Sequence, residues 1–218
     1  MDLKQIYTYG CSFTQGFNLD NNPNNVTDPS MDAWPSHLSK LTNVPVTNRA
    51  LGGNTNKNIA TQIYKDLDTF ESKDLILVAI TTPIRLSIYN DWTEPFVYQS
   101  LFTERRSFSS SSAELRWRTD YFDANHMEWE SVMAVSAILH ILEPYNCRII
   151  NAITELDSFI NLQRILVQSR KLINDISLFH RLRNRTNYAD YLLPDGHLNS
   201  QGHQDSAEMI YGVLDEKV

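Results

Sequence analysis

The residues best suited to chemistry come early in the chain, in a small polar turn at residues 9–16 that follows a strand-like segment at 6–9. Ligands of open α/β sheets bind outside the carboxyl ends of the strands, so this turn is well placed for a reacting group. Ser12 is the candidate nucleophile, and it requires a histidine that takes its proton. The other interpretation is a turn of Gly, Ser and Thr that caps a helix.

A second polar loop, residues 48–56, lies between a strand-like and a helical segment. Gly53 lets backbone N–H groups approach a ligand closely, and the start of a helix adds partial positive charge, which suits an oxyanion. A Gly-Gly pair at such a position also serves as a simple turn. The loop lacks the spacing of a Walker loop or a dinucleotide fingerprint, which argues against nucleotide binding.

The candidate base lies in residues 193–203, just ahead of the final helical stripe. Asp195 precedes His197 by two positions, and an acid beside a histidine can fix its tautomer and stabilise the imidazolium. We therefore expect His197 to activate Ser12. For His203, at the start of the last helix, we expect a surface or capping role. The same expectation covers His37, His126, His140 and His180.

The elements that must position these residues alternate between strands and helices. Strand-like segments occur at 6–9, 44–46, 75–80 and 148–153. Helical patterns occur at 59–67, after the potential caps Asn54 and Thr55, at 129–142, at 156–182 and in the stripe Ala207, Ile210, Tyr211 and Leu214. The helix at 129–142 is apolar around most of its circumference and is expected to be buried.

This alternation predicts an α/β fold, a three-layer α/β/α sandwich around a central, mostly parallel sheet. We expect one domain over residues 1–218, with an irregular insertion at about 91–126 that forms a lid or a substrate wall.

Composition excludes several classes of partner. The net charge of −7 disfavours a polyanion, and the basic clusters at 105–106, 116–118 and 181–185 are short, so we expect no nucleic-acid role. No apolar stretch approaches the roughly 20 residues that cross a bilayer, so no membrane role is expected. Cys11 and Cys147 resemble neither a disulfide framework nor a metal-ligand pattern. No signal-peptide pattern is visible, so we expect a reducing, cytoplasmic setting.

Taken in chain order, the three polar segments resemble the blocks of the SGNH (GDSL-like) hydrolase superfamily. The first block, Gly-Asp-Ser followed by Thr or Ser and a Gly, corresponds to residues 10–16, so that Ser12 matches the nucleophile and Cys11 replaces the Asp. This Gly-Cys-Ser-Phe-Thr version resembles a subgroup of phage and bacterial sequences, which implies the virion or the host cytoplasm if the protein is phage-encoded.

The second block matches Asn48 and Gly53. The resemblance implies an oxyanion hole lined by the amides of Ser12 and Gly53, a flavodoxin-like fold, and no metal or organic cofactor.

Two departures from the family pattern matter. In the last block His197 matches the catalytic histidine, but Pro194 occupies the acid's position, so Asp190 or a backbone carbonyl competes with Asp195 for the orienting role. The third block, Gly-x-Asn-Asp, is replaced by residues 81–85. In the family, the Asn of this block donates a side-chain hydrogen bond to the oxyanion. Thr81 and Thr82 are candidates to supply that bond here, and Arg85 is a candidate to bind an acidic group of the substrate.

The leading hypothesis is a serine esterase that cleaves a small acyl ester, such as an O-acetyl group on a carbohydrate. One alternative is a binding or structural protein that kept the fold without efficient catalysis. A second alternative makes the Cys11 thiolate the nucleophile. The acyl group, the alcohol and the oligomeric state stay open.

Overall fold

The computed structural model describes residues 2–19, 29–83, 88–91, 94–96, 124–152, 159–169, 188–194 and 196–215. Most of the predicted insertion at 91–126 lies outside these residues, as do Arg85, Asp195 and His180.

Strands and helices alternate along the described chain. The strands are β1 (Gln5–Tyr9), β2 (Val46–Asn48), β3 (Asp74–Ile80), β4 (Ile88–Asp91), β5 (Glu94–Phe96) and β6 (Cys147–Asn151). The helices are α1 (Ser12–Gln15), α2 (Trp34–Thr42), α3 (Asn56–Asp66), α4 (Ala124–Ile141), α5 (Ile160–Gln168) and α6 (Ser200–Asp215), with short 3-10 turns at Leu67–Thr69 and Tyr188–Tyr191.

The central sheet is parallel, with the strand order β2-β1-β3-β6. Ile6 of β1 lies opposite Val46 on one side and Leu75 on the other. After β1 the chain forms β2 on one side of it, and it then crosses to form β3 on the other side. The carboxyl ends of β1 and β3 therefore border a topological switch point, where ligands of open α/β sheets bind.

Strand β3 explains why the sheet is covered on both faces. All seven of its residues are buried. Ile76, Val78 and Ile80 belong to a core with helices α3, α4 and α5, whereas Leu75 and Leu77 belong to a second core with α2 and α6. Alternate side chains of a strand point to opposite faces, so one apolar run supplies two cores. This arrangement confirms the predicted three-layer parallel α/β sandwich.

Two local expectations were wrong. Strand β2 begins at Val46 and runs to Asn48 rather than covering 44–46, because the pairing with β1 begins where Ile6 meets Val46. Helix α4 is not buried all around, since Trp129 and Met133 are 53% and 70% exposed. Its inner stripe, which includes Val135 and Ile138, is fully buried.

Two other local expectations, the cap of α3 and the apolar stripe of α6, were confirmed. Thr55 caps α3, because its hydroxyl oxygen accepts a hydrogen bond from the Asn58 amide at 3.2 Å. Ala207, Ile210 and Leu214 form the buried stripe of α6. The antiparallel pair of β4 and β5 was not predicted: β5 lies within the segment at 91–126 that the sequence marks as irregular, and β4 lies mostly before it. None of the described helices combines the length and the hydropathy that a membrane span requires.

Candidate active site

The nucleophile turn is closely packed at the carboxyl end of β1. A Cβ on Gly10 would lie 2.3 Å from Thr14 Oγ1 and 3.2 Å from Ala79 Cβ, so only glycine fits between the turn and β3. The Cys11 carbonyl accepts hydrogen bonds from the amides of Thr14 and Gln15, which closes the first turn of α1. Ser12 is the first residue of that helix, and 6% of its surface is exposed to solvent.

The glycine loop approaches this turn from the end of β2. Gly53 has φ +72°, a left-handed conformation that side-chain-bearing residues rarely adopt. A Cβ on Gly52 would lie 2.9 Å from Gln15 Oε1, so the second glycine allows the loop to lie against α1. The amides of Ser12 and Gly53 donate no hydrogen bond to another described residue.

Two asparagine side chains tie the glycine loop to the nucleophile turn. Asn48 Nδ2 donates to the Thr14 carbonyl at 2.8 Å. Asn54 Nδ2 donates to the Gly10 carbonyl at 3.1 Å and to Gln62 Oε1 at 2.9 Å. Buried backbone carbonyls require partners, and here the side chains of the neighbouring loop supply them. The relative position of the two loops is therefore fixed by hydrogen bonds.

A third asparagine fixes the chain where β3 ends. Asn56 Oδ1 accepts from the Thr81 amide at 2.9 Å, and Asn56 Nδ2 donates to the Thr81 carbonyl at 2.8 Å and to Ser131 Oγ at 2.5 Å. Thr81 is buried, whereas Thr82 is partly exposed. The two bonds from Asn56 to the Thr81 backbone replace those of a neighbouring strand. Thr82 follows Thr81 at the carboxyl end of β3.

His197 lies on a tight turn that leads into α6. The Leu193 amide donates to the His197 carbonyl at 2.7 Å, and the Gly196 amide donates to the Leu193 carbonyl at 2.9 Å. Gly196 has φ +86°, which accounts for a glycine directly before the histidine. Leu198, the next residue, is buried in a cluster that includes Phe13. This anchor turns the loop toward the nucleophile turn.

The imidazole of His197 contacts two rings of the nucleophile segment. Its centroid lies 5.0 Å from that of Phe13 and 5.2 Å from that of Phe17. Phe13 follows Ser12 directly, so the fold brings the candidate base to the candidate nucleophile across about 185 positions of sequence. The Ser12 hydroxyl makes no hydrogen bond to another described residue. His197 is itself a described residue, so the Ser12–His197 hydrogen bond is not formed in this structure, and proton transfer between the two side chains is a prediction for the substrate complex.

His203 differs from its expectation. It is buried, with 1% exposure, and its Nδ1 accepts a hydrogen bond from the Trp34 amide at 3.1 Å, which joins the start of α6 to the start of α2. Burial lowers the pKa of His203 to about 3, and the neighbouring His37 and His197 lower it in the same direction. The predicted surface or capping role was therefore wrong: His203 is a neutral core residue.

The remaining candidates separate by burial. Cys11 is 2% exposed, less than the adjacent Ser12. Asp190 is exposed, and its backbone carbonyl accepts from Asn199 Nδ2 at 2.6 Å. Asp195 and Arg85 lie outside the described residues, so their predicted roles remain predictions. Within the described ranges, no group of three or more His, Cys, Asp or Glu side chains is arranged to hold a metal ion.

Sequence reasoning missed the residues that hold the loops in place. Asn54 appeared in it only as a potential helix cap and Asn56 not as a candidate, yet both bind backbone groups of other loops. The available indication was the density of asparagines between the Gly-Gly pair and α3, because short amides readily bind nearby backbone groups. Their partners lie 25 or more positions away, beyond the reach of local patterns.

Comparisons of the whole fold give similar structures where comparisons of sequence give no match. No protein-family model matches the chain, and no curated protein matches it. Its fold is similar to that of a putative lipolytic protein of the G-D-S-L family from Desulfitobacterium hafniense, with TM-score 0.58, 13% identity and coverage of 97% of this chain and 99% of the other.

Two further structures are similar to the chain. A psychrotrophic esterase from a Pseudoalteromonas species, solved with monoethylphosphonate as inhibitor, gives TM-score 0.57 at 11% identity, with coverage of 98% and 97%. A carbohydrate esterase described as having divergent catalytic and non-catalytic binding functions gives TM-score 0.56 at 11% identity, with coverage of 98% of this chain and 65% of the other. At such low identities the similarity establishes the fold.

Proposed function

We propose that this chain, which has the fold of the G-D-S-L lipolytic proteins, is a serine ester hydrolase with Ser12 as nucleophile and His197 as general base. The observation that carries the proposal is the ring contact of 5.0 Å between His197 and Phe13, the residue after Ser12. His197 is partly exposed and makes ring contacts with both phenylalanines beside the nucleophile turn.

The reaction follows from this pairing. His197 takes the proton of Ser12 as the hydroxyl attacks the ester carbonyl, then gives it to the leaving alcohol, and water hydrolyses the acyl-enzyme by the same path. Proton transfer needs a separation of about 2.6–3.2 Å between Oγ and an imidazole nitrogen, and catalytic hydrogen bonds often tighten only when substrate binds. The Ser12 side chain is small, and we expect substrate binding to favour the rotamer that brings its Oγ to the His197 imidazole.

The oxyanion hole is proposed at the amides of Ser12 and Gly53. Neither amide is used by another described residue, and Gly53 holds a left-handed conformation in the loop that Asn54 ties to the nucleophile turn. Developing negative charge on the carbonyl oxygen is stabilised most by donors that are oriented in advance.

A third donor from a side chain is restricted by the asparagine contacts. The Nδ2 groups of Asn54 and Asn56 each already serve two acceptors, so both are committed to the loops. Thr82 is the better candidate of the two threonines, because it is partly exposed at the end of β3 while Thr81 is buried. Without such a donor, transition-state stabilisation falls by about 3 kcal/mol.

Asp195 is the proposed partner that orients His197. The alternatives are Asp190 and a backbone carbonyl of the same loop. An orienting group fixes the tautomer and stabilises the imidazolium that forms during the reaction.

The proposed substrate is a small acyl ester, in particular an O-acetyl group on a carbohydrate, with Arg85 contacting an acidic group of that substrate. Support comes from the carbohydrate esterase among the structures of the same fold. The partly exposed Phe13 and Phe17 beside Ser12 give the site an apolar side that suits a short acyl chain.

The test is hydrolysis of p-nitrophenyl acetate by the wild type, Ser12→Ala and Cys11→Ala. Ser12→Ala should lower kcat/KM by at least about a thousandfold, because the nucleophile is lost. Cys11→Ala is the matched neighbour and should retain turnover, since the thiol is buried. Wild-type rates in Ser12→Ala would end the serine mechanism, and loss of turnover in Cys11→Ala alone would favour the thiol.

A binding protein without efficient catalysis is the second candidate. It is favoured by the commitment of Asn54 and Asn56 to structural bonds and by the absence of a hydrogen bond from Ser12 to any described residue. Incubation with a fluorophosphonate followed by intact-mass measurement distinguishes the two. An ester hydrolase gains one adduct at Ser12, whereas a purely binding protein stays unlabelled and leaves the test ester intact.

A further inference from the structure

The two phenylalanines beside the nucleophile contact the candidate base in a way that ordinary packing does not require. The planes of Phe13 and Phe17 are inclined to the imidazole by 34° and 48°, at centroid distances of 5.0 and 5.2 Å. The edge-on pair Tyr9 and Phe70, by contrast, has an angle of 84°. Neither contact is perpendicular, and both ring centroids lie close enough for the imidazole to interact with their π systems.

A cation within about 6 Å of a ring centroid is attracted by the negative face of the ring. General-base catalysis converts the imidazole to an imidazolium, so charge appears on His197 at the moment of attack. Two ring faces at this distance are attractive to the charged form and nearly neutral toward the uncharged one. An interaction that is stronger with the imidazolium than with the neutral imidazole stabilises the transition state, in which the base takes up the proton.

We propose that Phe13 and Phe17 are positioning residues that hold the His197 ring and favour its protonated form through their π faces. The proposal rests on the proposed function, because the two rings contribute to catalysis only if His197 is the general base. The contact itself does not depend on any reaction.

Asp195 is already proposed to orient His197, and the described titratable groups around the ring add no charge stabilisation of their own. On α6, His203 is buried and neutral, and on α2, His37 carries no negative charge. Asp190 in the neighbouring 3-10 turn is exposed to solvent, which screens its charge. Among the described residues, the two rings are therefore the groups in contact with the imidazole that can respond to its charge.

Substitution by leucine separates the π face from simple packing. Leucine keeps an apolar side chain next to His197 and Leu198 but removes the quadrupole. If the rings act only as apolar cover, leucine keeps most of that cover, and any water that it admits favours the charged imidazole, so the titration midpoint of His197 stays the same or rises. If the π faces stabilise the cation, their loss lowers that midpoint. Only the second role predicts a fall.

The experiment is an NMR titration of protein labelled with ¹³C-histidine, in which His197→Gln assigns the resonance. Phe13→Leu and Phe17→Leu should each lower the titration midpoint of His197 by about 0.5 pH unit, whereas Phe13→Tyr, which keeps the π face, should restore the wild-type midpoint. An unchanged or raised midpoint in either folded leucine variant overturns the proposal. Should Phe13→Leu not fold, Phe17→Leu alone decides.

Kinetics then link the contact to the reaction. The acid limb of kcat/KM for p-nitrophenyl acetate should move to lower pH with the midpoint, and kcat should fall while KM is unchanged. A wild type that hydrolyses no ester refutes the proposed function and leaves the titration result valid. A hydrolytic wild type whose leucine variants keep the wild-type midpoint refutes the ring contact alone.

Discussion

Replacing Asn56 by alanine tests whether the end of β3 is held by a side chain rather than by a neighbouring strand. Asn56 is 2% exposed and makes three hydrogen bonds, two with the backbone of Thr81 and one with Ser131. Alanine removes the whole amide and leaves the Thr81 N–H and C=O without these partners in a buried position.

The magnitude follows from those orphaned groups. A buried donor or acceptor left without a partner costs about 1–3 kcal/mol. The Ser131 hydroxyl loses the donor Asn56 but can still donate to a carbonyl of its own helix, so only the two Thr81 groups count in full. The expected loss is therefore about 2–6 kcal/mol in the free energy of unfolding, a large part of the 5–15 kcal/mol typical of a domain.

The assay is urea unfolding followed by circular dichroism. Lys57→Ala is the matched control: it changes the next residue of α3, whose side chain is 57% exposed and pairs with Glu130 at 3.8 Å, so it should cost less than about 0.5 kcal/mol. If Asn56→Ala costs no more than Lys57→Ala, the end of β3 is held by other contacts and the reasoning is refuted.

Two further outcomes are expected. Gly53→Ala places a side chain at φ +72° and should cost about 1–3 kcal/mol, and because it displaces a proposed oxyanion donor it should lower kcat more than it raises KM, as steady-state kinetics with p-nitrophenyl acetate would reveal. His203 has a pKa of 6.5 in the unfolded state and of about 3 in the folded state, so between these values only the unfolded state takes up the proton. The free energy of unfolding should therefore be highest above pH 6.5 and fall as the pH drops toward 3, by up to about 1.4 kcal/mol per pH unit. Urea midpoints at pH 7, 6 and 5 should show this slope in the wild type and lose it in His203→Gln; an equal slope in both proteins would contradict the assignment.

The candidate site could be assembled from the sequence only in part. Ser12, Gly53 and His197 are each identifiable because turns before helices have recognisable glycines and polar residues. The supporting bonds of Asn54 and Asn56 are not, since an asparagine ahead of a helix has the same local appearance whether it caps that helix or binds a distant carbonyl. His203 was misjudged for the same reason: its partner is the Trp34 amide, 169 positions away.

By itself the sequence determined the four strands of the central sheet, the double burial of β3 and the turns that carry the candidate nucleophile and base, because these depend on periodicity and backbone preferences within a few residues. Helix α2 and the strands β4 and β5 were not predicted. Only the tertiary structure decided that the sheet runs β2-β1-β3-β6, that His197 contacts Phe13 and Phe17 while His203 is buried, and that asparagine side chains join the loops. The physical reason is that such contacts depend on strand register and chain crossovers, which arise from the packing of the whole sheet.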